Sequence, residues 1–208
     1  MRLLIASSIT ICIAAGAAVI ALHPKPPAVE GAPATGNAEQ GSPVADDRKP
    51  LPKLINNPRI TVIKSRRRLM LYSGDNLLRT YRVGLGFSPA GDKQRQGDGR
   101  TPEGDFYVCS KNDRSRYYLS LGLSYPNEED AERGLGAGLI SRADRDRIVS
   151  AMRRRGVPPW NTGLGGEIFI HGHGSSSDWT LGCVALENEE MRELFFAVPR
   201  GTPVRIEP

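Results

Sequence analysis

Ile168–Leu186 reads IFIHGHGSSSDWTLGCVAL, two apolar runs enclosing a polar loop. Ile168, Phe169 and Ile170 deliver His171 to the end of a predicted strand, Gly172, Gly174 and three serines form a loop, and Trp179-Thr180-Leu181-Gly182 leads into Cys183 before Val184-Ala185-Leu186 turn apolar again. A thiol is mostly protonated at neutral pH. A neighbouring imidazole converts it to the reactive thiolate and later returns the proton to a leaving amine, which is the physical reason to pair His171 with Cys183. Gly182, just before the nucleophile, lets the backbone approach a substrate carbonyl, and N–H groups around Cys183 can hold the developing oxyanion. Metal binding is the local competitor, since His171, His173, Asp178 and Cys183 are all zinc-ligand types. Against it, the two histidines have strand or loop spacing rather than the i, i+4 of a helical pair, and no second cysteine is near. A plain Cys109–Cys183 disulfide is the other alternative.

Upstream, Arg59 to Lys64 and Arg68 to Tyr72 alternate apolar and polar residues, Gly74-Asp75-Asn76 supplies turn chemistry, and Leu77 to Gly84 continues as a further strand. This predicts a β-meander. Thr101-Pro102-Glu103-Gly104 marks another turn before a strand at Asp105 to Cys109, with Tyr117 to Leu121 as its partner. Ser141 with Asp144 three residues on predicts a helix start, ending near Arg155 before Gly156 and Pro158. Asn188 is read as the cap of a helix whose Met191, Leu194, Phe195 and Val198 share one face, followed by a closing strand from Pro203 to Ile206.

Residues Leu3 to Leu22 carry no charge and are flanked by Arg2 and Lys25, so they suit a secretory signal or a membrane anchor. Cleavage is left open. Eight of the sixteen prolines fall between Pro24 and Pro58, and this Pro/Ala/Gly-rich stretch lacks the apolar residues to order itself. As a flexible coil of some 30 residues it would span roughly 30 Å. The division is therefore 1–22 signal or anchor, 23–57 linker and 58–208 catalytic domain. The formal charge of +5 would raise nucleic acid as a partner in a cytoplasmic protein; for an exported chain in the periplasm or envelope, anionic lipid and wall polymer are the expected neighbours. The basic runs Lys64–Arg68 and Arg153–Arg155 are read as solvated faces.

Taken together, IHG…TLGCVAL, GDKQRQGDGRTPEGDFYV, ITVIKSRRRLMLYSGDNLLRTYRVGLG, YYLSLGLSYPN and GTPVRI resemble the L,D-transpeptidase (YkuD) catalytic domain over about Arg59 to Ile206. The resemblance implies a mainly β (α+β) fold of two mixed sheets in a sandwich with a few peripheral helices. It places the nucleophile at Cys183 and the catalytic histidine at His171, with Gly172, Thr180 and Gly182 supporting the loop and oxyanion hole. It also implies peptidoglycan stem peptides as substrate, a thioester intermediate, and no cofactor. Many members carry His before the Gly-Cys pair and Arg two residues after the Cys; here those positions are Leu181 and Ala185, and His173 is a candidate stand-in. The departures leave hydrolysis of the same bonds open beside cross-linking, with a non-catalytic peptidoglycan-binding module as a third reading. Glu103 and Asp105 are candidates to orient a substrate amine, and Tyr117, Tyr118 and Trp160 to line a groove.

Overall fold

The computed structural model describes residues 50–52 and 54–208. The apolar run 3–22 and most of the linker segment lie outside the described residues, among which no helix is long and apolar enough to cross a membrane.

Eight strands form, seven of them at expected places: β1 (Pro58–Ile63), β2 (Arg68–Ser73), β3 (Asn76–Arg82), β4 (Gly104–Ser115), β5 (Tyr118–Leu123), β6 (Phe169–His171) and β8 (Pro203–Glu207), with the short β7 (Val184–Ala185) in addition. They form one sheet in the order β3-β2-β1-β8-β4-β5-β6-β7. β1 to β3 are the predicted antiparallel meander, β8 joins β1 in parallel, and β6 joins β7 in parallel. The two expected sheets are thus two halves of a single curled sheet that share β4. β4 pairs with β8 at its start and with β5 further along, where two irregularities in register let it turn from one half to the other.

The sheet curls until its ends meet. The chain just beyond β3 returns to β7: Gly84 N–H donates to Ala185 O at 2.9 Å and Ala185 N–H donates to Gly84 O at 2.8 Å. Backbones come this close only because Gly84 and Gly86 lack side chains; a Cβ at Gly84 would stand 2.3 Å from Ser177 O, and one at Gly86 would stand 2.1 Å from Gly99 O.

Alternation along the strands puts Ile60, Val62, Leu69, Leu71, Tyr81, Val108, Leu121, Ile170, Val184, Val204 and Ile206 into one core. Helix α3 (Asn188–Ala197) adds Met191, Leu194 and Phe195, the face anticipated from its spacing. Its cap differs from expectation. Glu187 is the N-cap and makes no side-chain cap bond, while Asn188 Oδ1 accepts the His173 N–H at 2.9 Å. Helix α2 (Arg142–Arg153) begins with the anticipated Ser141/Asp144 capping box. Helix α1 (Glu128–Gly136), absent from the sequence reading, also has a full capping box, between Asn127 and Asp130. Its apolar face is small, Ala131 packing with Ile140, Ile148 and Leu164 in a second cluster, so periodicity gave little signal.

The first basic run is only in part a solvated face. Lys64 is buried, and its ammonium donates to Gly91 O (2.6 Å), Thr101 O (2.9 Å) and Glu103 Oε1 (2.7 Å), tying the end of β1 to the 91–103 loop. Glu103 is therefore engaged inside the fold, and Asp105 pairs with Arg205 at 2.8 Å on the outer surface. Arg153, Arg154 and Arg155 are exposed as expected. Removing the Lys64 cation would strand two carbonyls and a half-buried carboxylate. Lys64→Met is expected to cost about 3 kcal/mol of folding stability, read as a lowered urea midpoint with an unchanged slope.

Candidate active site

The pairing of β6 with β7 sets Ile170 against Val184 and His171 against Ala185. One step back, Cys183 lies level with Phe169, on the face that Phe169 and His171 share by their two-residue spacing. The Phe169 N–H accordingly donates to Cys183 Sγ at 3.4 Å, and the thiol in turn reaches Glu167 O at 3.5 Å. His171 and Cys183 line the same pocket of about 650 Å³, together with Lys93, Tyr117, Trp160 and Trp179.

The turn into Cys183 is closed by Thr180. Its hydroxyl donates to Cys183 O at 2.8 Å and accepts the Gly182 N–H at 3.1 Å. The Gly182 N–H is thereby used within the loop, whereas the Cys183 N–H has no acceptor among the described residues. Gly182 has φ of +135°, and a Cβ there would lie 2.7 Å from Arg100 O, so the position requires glycine.

His171 is buried, with its ring stacked on Tyr117 at 4.7 Å between centroids and Trp179 edge-on at 5.6 Å. Its Nδ1 lies 2.7 Å from Gly172 O. A carbonyl only accepts, so the proton sits on Nδ1 and Nε2 is left as the basic nitrogen. Gly172 is held in turn by its N–H to Tyr117 O at 3.1 Å, and a side chain there would collide with Asn188 Oδ1.

Burial lowers the His171 pKa, against the opposing pull of the Gly172 carbonyl and with a smaller push from His173. Burial likewise pushes the Cys183 thiol up to about 11, only partly offset by the Phe169 N–H and the charge of Lys93, while Glu167 adds to the rise. Although Cys183 keeps some surface open to the pocket, the packing around its sulfur controls its proton affinity. Burial thus disfavours the charged form of both groups, and no hydrogen bond joins His171 to Cys183 among the described residues.

The remaining candidates divide. Tyr117 and Trp160 line the pocket and Tyr118 does not. His173 is exposed, adopts φ of +80°, and its ring stands edge-on to the Tyr117 ring at 5.8 Å. Leu181 is 76% exposed at the pocket mouth, while Ala185 is fully buried between His171 and Gly84. Cys109 and Cys183 are both free thiols, and Cys109 is core. No group of three or more potential metal-ligating side chains gathers among the described residues.

Two anchors escaped the sequence reading. Asp178 accepts from Arg67 (2.6 Å) and from the Leu85 N–H (2.9 Å), fixing the serine loop to the meander. Glu187 accepts from the Ser175 N–H and hydroxyl at 2.8 and 2.9 Å. Their partners lie 111, 93 and 12 positions away, beyond the reach of any local motif. The Gly84-Leu85-Gly86 spacing was a visible signal of close backbone approach.

Two outcomes are expected. Alkylation of Cys183 by iodoacetamide, followed by mass spectrometry, should accelerate about tenfold per pH unit from pH 7 to 10, because only thiolate reacts; a plateau already reached by pH 7 would contradict the raised thiol pKa. Gly182→Ala should cost on the order of 1–3 kcal/mol in thermal unfolding through backbone strain, and should alter Cys183 alkylation at fixed pH.

The sequence model of the L,D-transpeptidase catalytic domain (YkuD) matches residues 57–206. The Escherichia coli K12 protein named "Putative L,D-transpeptidase YafK" is 33% identical over 141 residues, covering 63% of this chain and 56% of that protein, so the chain spans little more than half the length of the curated relatives it matches. Among solved structures, the helical cell shape determining protein Pgp2 (K307A mutant) of Campylobacter jejuni superposes with a TM-score of 0.51 at 23% identity, covering 73% of this chain and 47% of that one. An L,D-transpeptidase of Xylanimonas cellulosilytica aligns with a TM-score of 0.45 at 17% identity, covering 76% and 64%. With a matched region that takes in the curled sheet and the His171/Cys183 pocket, the chain belongs to the L,D-transpeptidase (YkuD) catalytic domain family.

Proposed function

We propose that this protein is a cysteine acyltransferase of peptidoglycan stem peptides, with Cys183 as nucleophile and His171 as general base. The single observation that carries the reading is one pocket lined by both side chains, with the His171 tautomer set so that Nε2 is free to take a proton. Because burial disfavours thiolate and imidazolium alike, proton transfer accompanies attack on the carbonyl instead of preceding it. Sulfur bonds to the carbonyl carbon between the diaminopimelate L-centre and D-alanine, and the sulfur proton passes to His171. The oxyanion is held by the Cys183 N–H, which has no acceptor among the described residues. Collapse returns the proton from His171 to the amine of D-alanine, which leaves, and a thioester remains. An amine of a second stem then displaces the thioester to form a cross-link or to attach a protein to the wall. No cofactor takes part in this scheme.

Hydrolysis is the alternative fate of the same thioester. It is favoured by one feature: Leu181 and Ala185 occupy positions where many family members carry His and Arg, and Ala185 is buried. Export through the apolar segment 3–22 would bring either activity to its substrate, with the membrane as partner where that segment is retained.

Purified protein incubated with a disaccharide tetrapeptide and analysed by mass spectrometry separates the fates. Dimers joined 3→3 are expected; tripeptide alone would overturn transpeptidation in favour of hydrolysis. Cys183→Ala should abolish covalent adduct formation with a carbapenem, and equal labelling of variant and parent would sink the nucleophile assignment. His171→Ala is expected to slow acylation by about 10²- to 10⁴-fold.

A further inference from the structure

With Ala185 buried, no cation projects from the position two residues after the nucleophile, yet a stem peptide presents carboxylates. A different cationic wall faces the pocket. Beyond its bulge, β4 runs out through Asn112, Arg114 and, one residue past its end, Arg116; these alternate positions all line the pocket and are all exposed. Neither guanidinium forms an ion pair or a side-chain hydrogen bond among the described residues, in contrast to Arg67, Arg79, Arg133 and Arg205, which are all paired with acids. Arg116 is also tied to the reaction centre: its guanidinium carbon is 5.7 Å from the Tyr117 ring centroid, and that ring stacks on His171 at 4.7 Å. A further donor lies in the same pocket, where the buried Trp160 Nε1–H has no acceptor among the described residues.

We infer that Arg114 and Arg116 form the carboxylate-recognition site for the acyl donor, replacing from the β4–β5 hairpin the cation that Ala185 cannot supply. The inference deepens the proposed function and rests on its substrate class. Arginine matches the purpose because its planar fork bonds a carboxylate through two parallel N–H groups and keeps its charge at every accessible pH. Two carboxylates of the donor share this chemistry, the C-terminal one of D-alanine and the one at the far end of the diaminopimelate side chain. The first leaves with the product amine; the second stays on the acyl-enzyme.

The test uses the full chain carrying Cys183→Ala, so that binding is read without turnover, from the fluorescence of Trp160 and Trp179 in the pocket. Three tetrapeptides are titrated: one with both carboxylates free, one amidated at the C-terminus and one amidated at the side-chain carboxylate. Amidating the recognised group is expected to weaken binding at least tenfold, and the arm that weakens identifies that group. In R114Q/R116Q the acid and the corresponding amide should bind alike, with the R116K single variant retaining part of the preference. An unchanged acid preference in R114Q/R116Q, an equal loss on acid and amide, or the absence of any acid preference in the parent would overturn the inference. Both positions are exposed on a hairpin, and an unaltered rate of Cys183 alkylation by neutral iodoacetamide in R114Q/R116Q with Cys183 intact verifies that the pocket is preserved. Acid preference lost in the variant while Cys183-containing parent forms no thioester would refute the proposed function and leave this inference standing.

Discussion

Two rungs of parallel pairing between β6 and β7 are the constraint on which the site depends. So short a ladder is weak by itself. It is held because Ala185 also pairs with Gly84 on its other edge, so that β7 is a buried rung between two backbones and not a free edge. The glycines at 84, 86 and 182 are what allow three segments to meet at main-chain distance. Within that frame a shift of one residue would carry Cys183 to the opposite face from His171, since side chains alternate along a strand.

Around this rung the loops are fastened by charge rather than by apolar packing. Asp178 and Glu187 hold the two ends of the serine loop, Lys64 holds the 91–103 loop, and each satisfies backbone groups as well as a charged or hydroxyl side chain or a carbonyl. Such polar anchors keep the loops that wall the pocket in one arrangement while leaving the pocket itself to donors without partners. The pocket's chemistry then follows from burial. Desolvation disfavours the charged form of both catalytic candidates, raising the proton affinity of the thiol and lowering that of the imidazole.

Much of this was legible in the chain. Period-two alternation located β1 and β2, turn residues set off β3, an apolar run located β6, the spacing of Met191, Leu194 and Phe195 located α3, and Ser141 with Asp144 located the start of α2. The failures share a cause. Lys64 looked like a surface charge because its three partners lie 27 to 39 residues away. Asn188 looked like a cap because its alternative use, holding His173, lies across a turn 15 residues back. Helix α1 was missed because its stability rests on capping and on packing against α2 more than on an apolar stripe.

Local chemistry by itself nominated His171 and Cys183 as a candidate pair, a histidine ending one apolar run and a cysteine opening the next with a glycine before it, and the family resemblance chose that reading over metal binding or a disulfide. Only the tertiary structure decided which ring nitrogen of the imidazole faces the Gly172 carbonyl, that burial raises the thiol's proton affinity, that Gly182 spends its N–H on Thr180, and that Arg114 and Arg116 share a wall with the nucleophile. The division has a physical reason. Residue type and spacing act through bonds and strand geometry over a few positions, whereas proton affinity and side-chain pairing depend on which distant groups the folded chain places nearby and how thoroughly it removes water from between them.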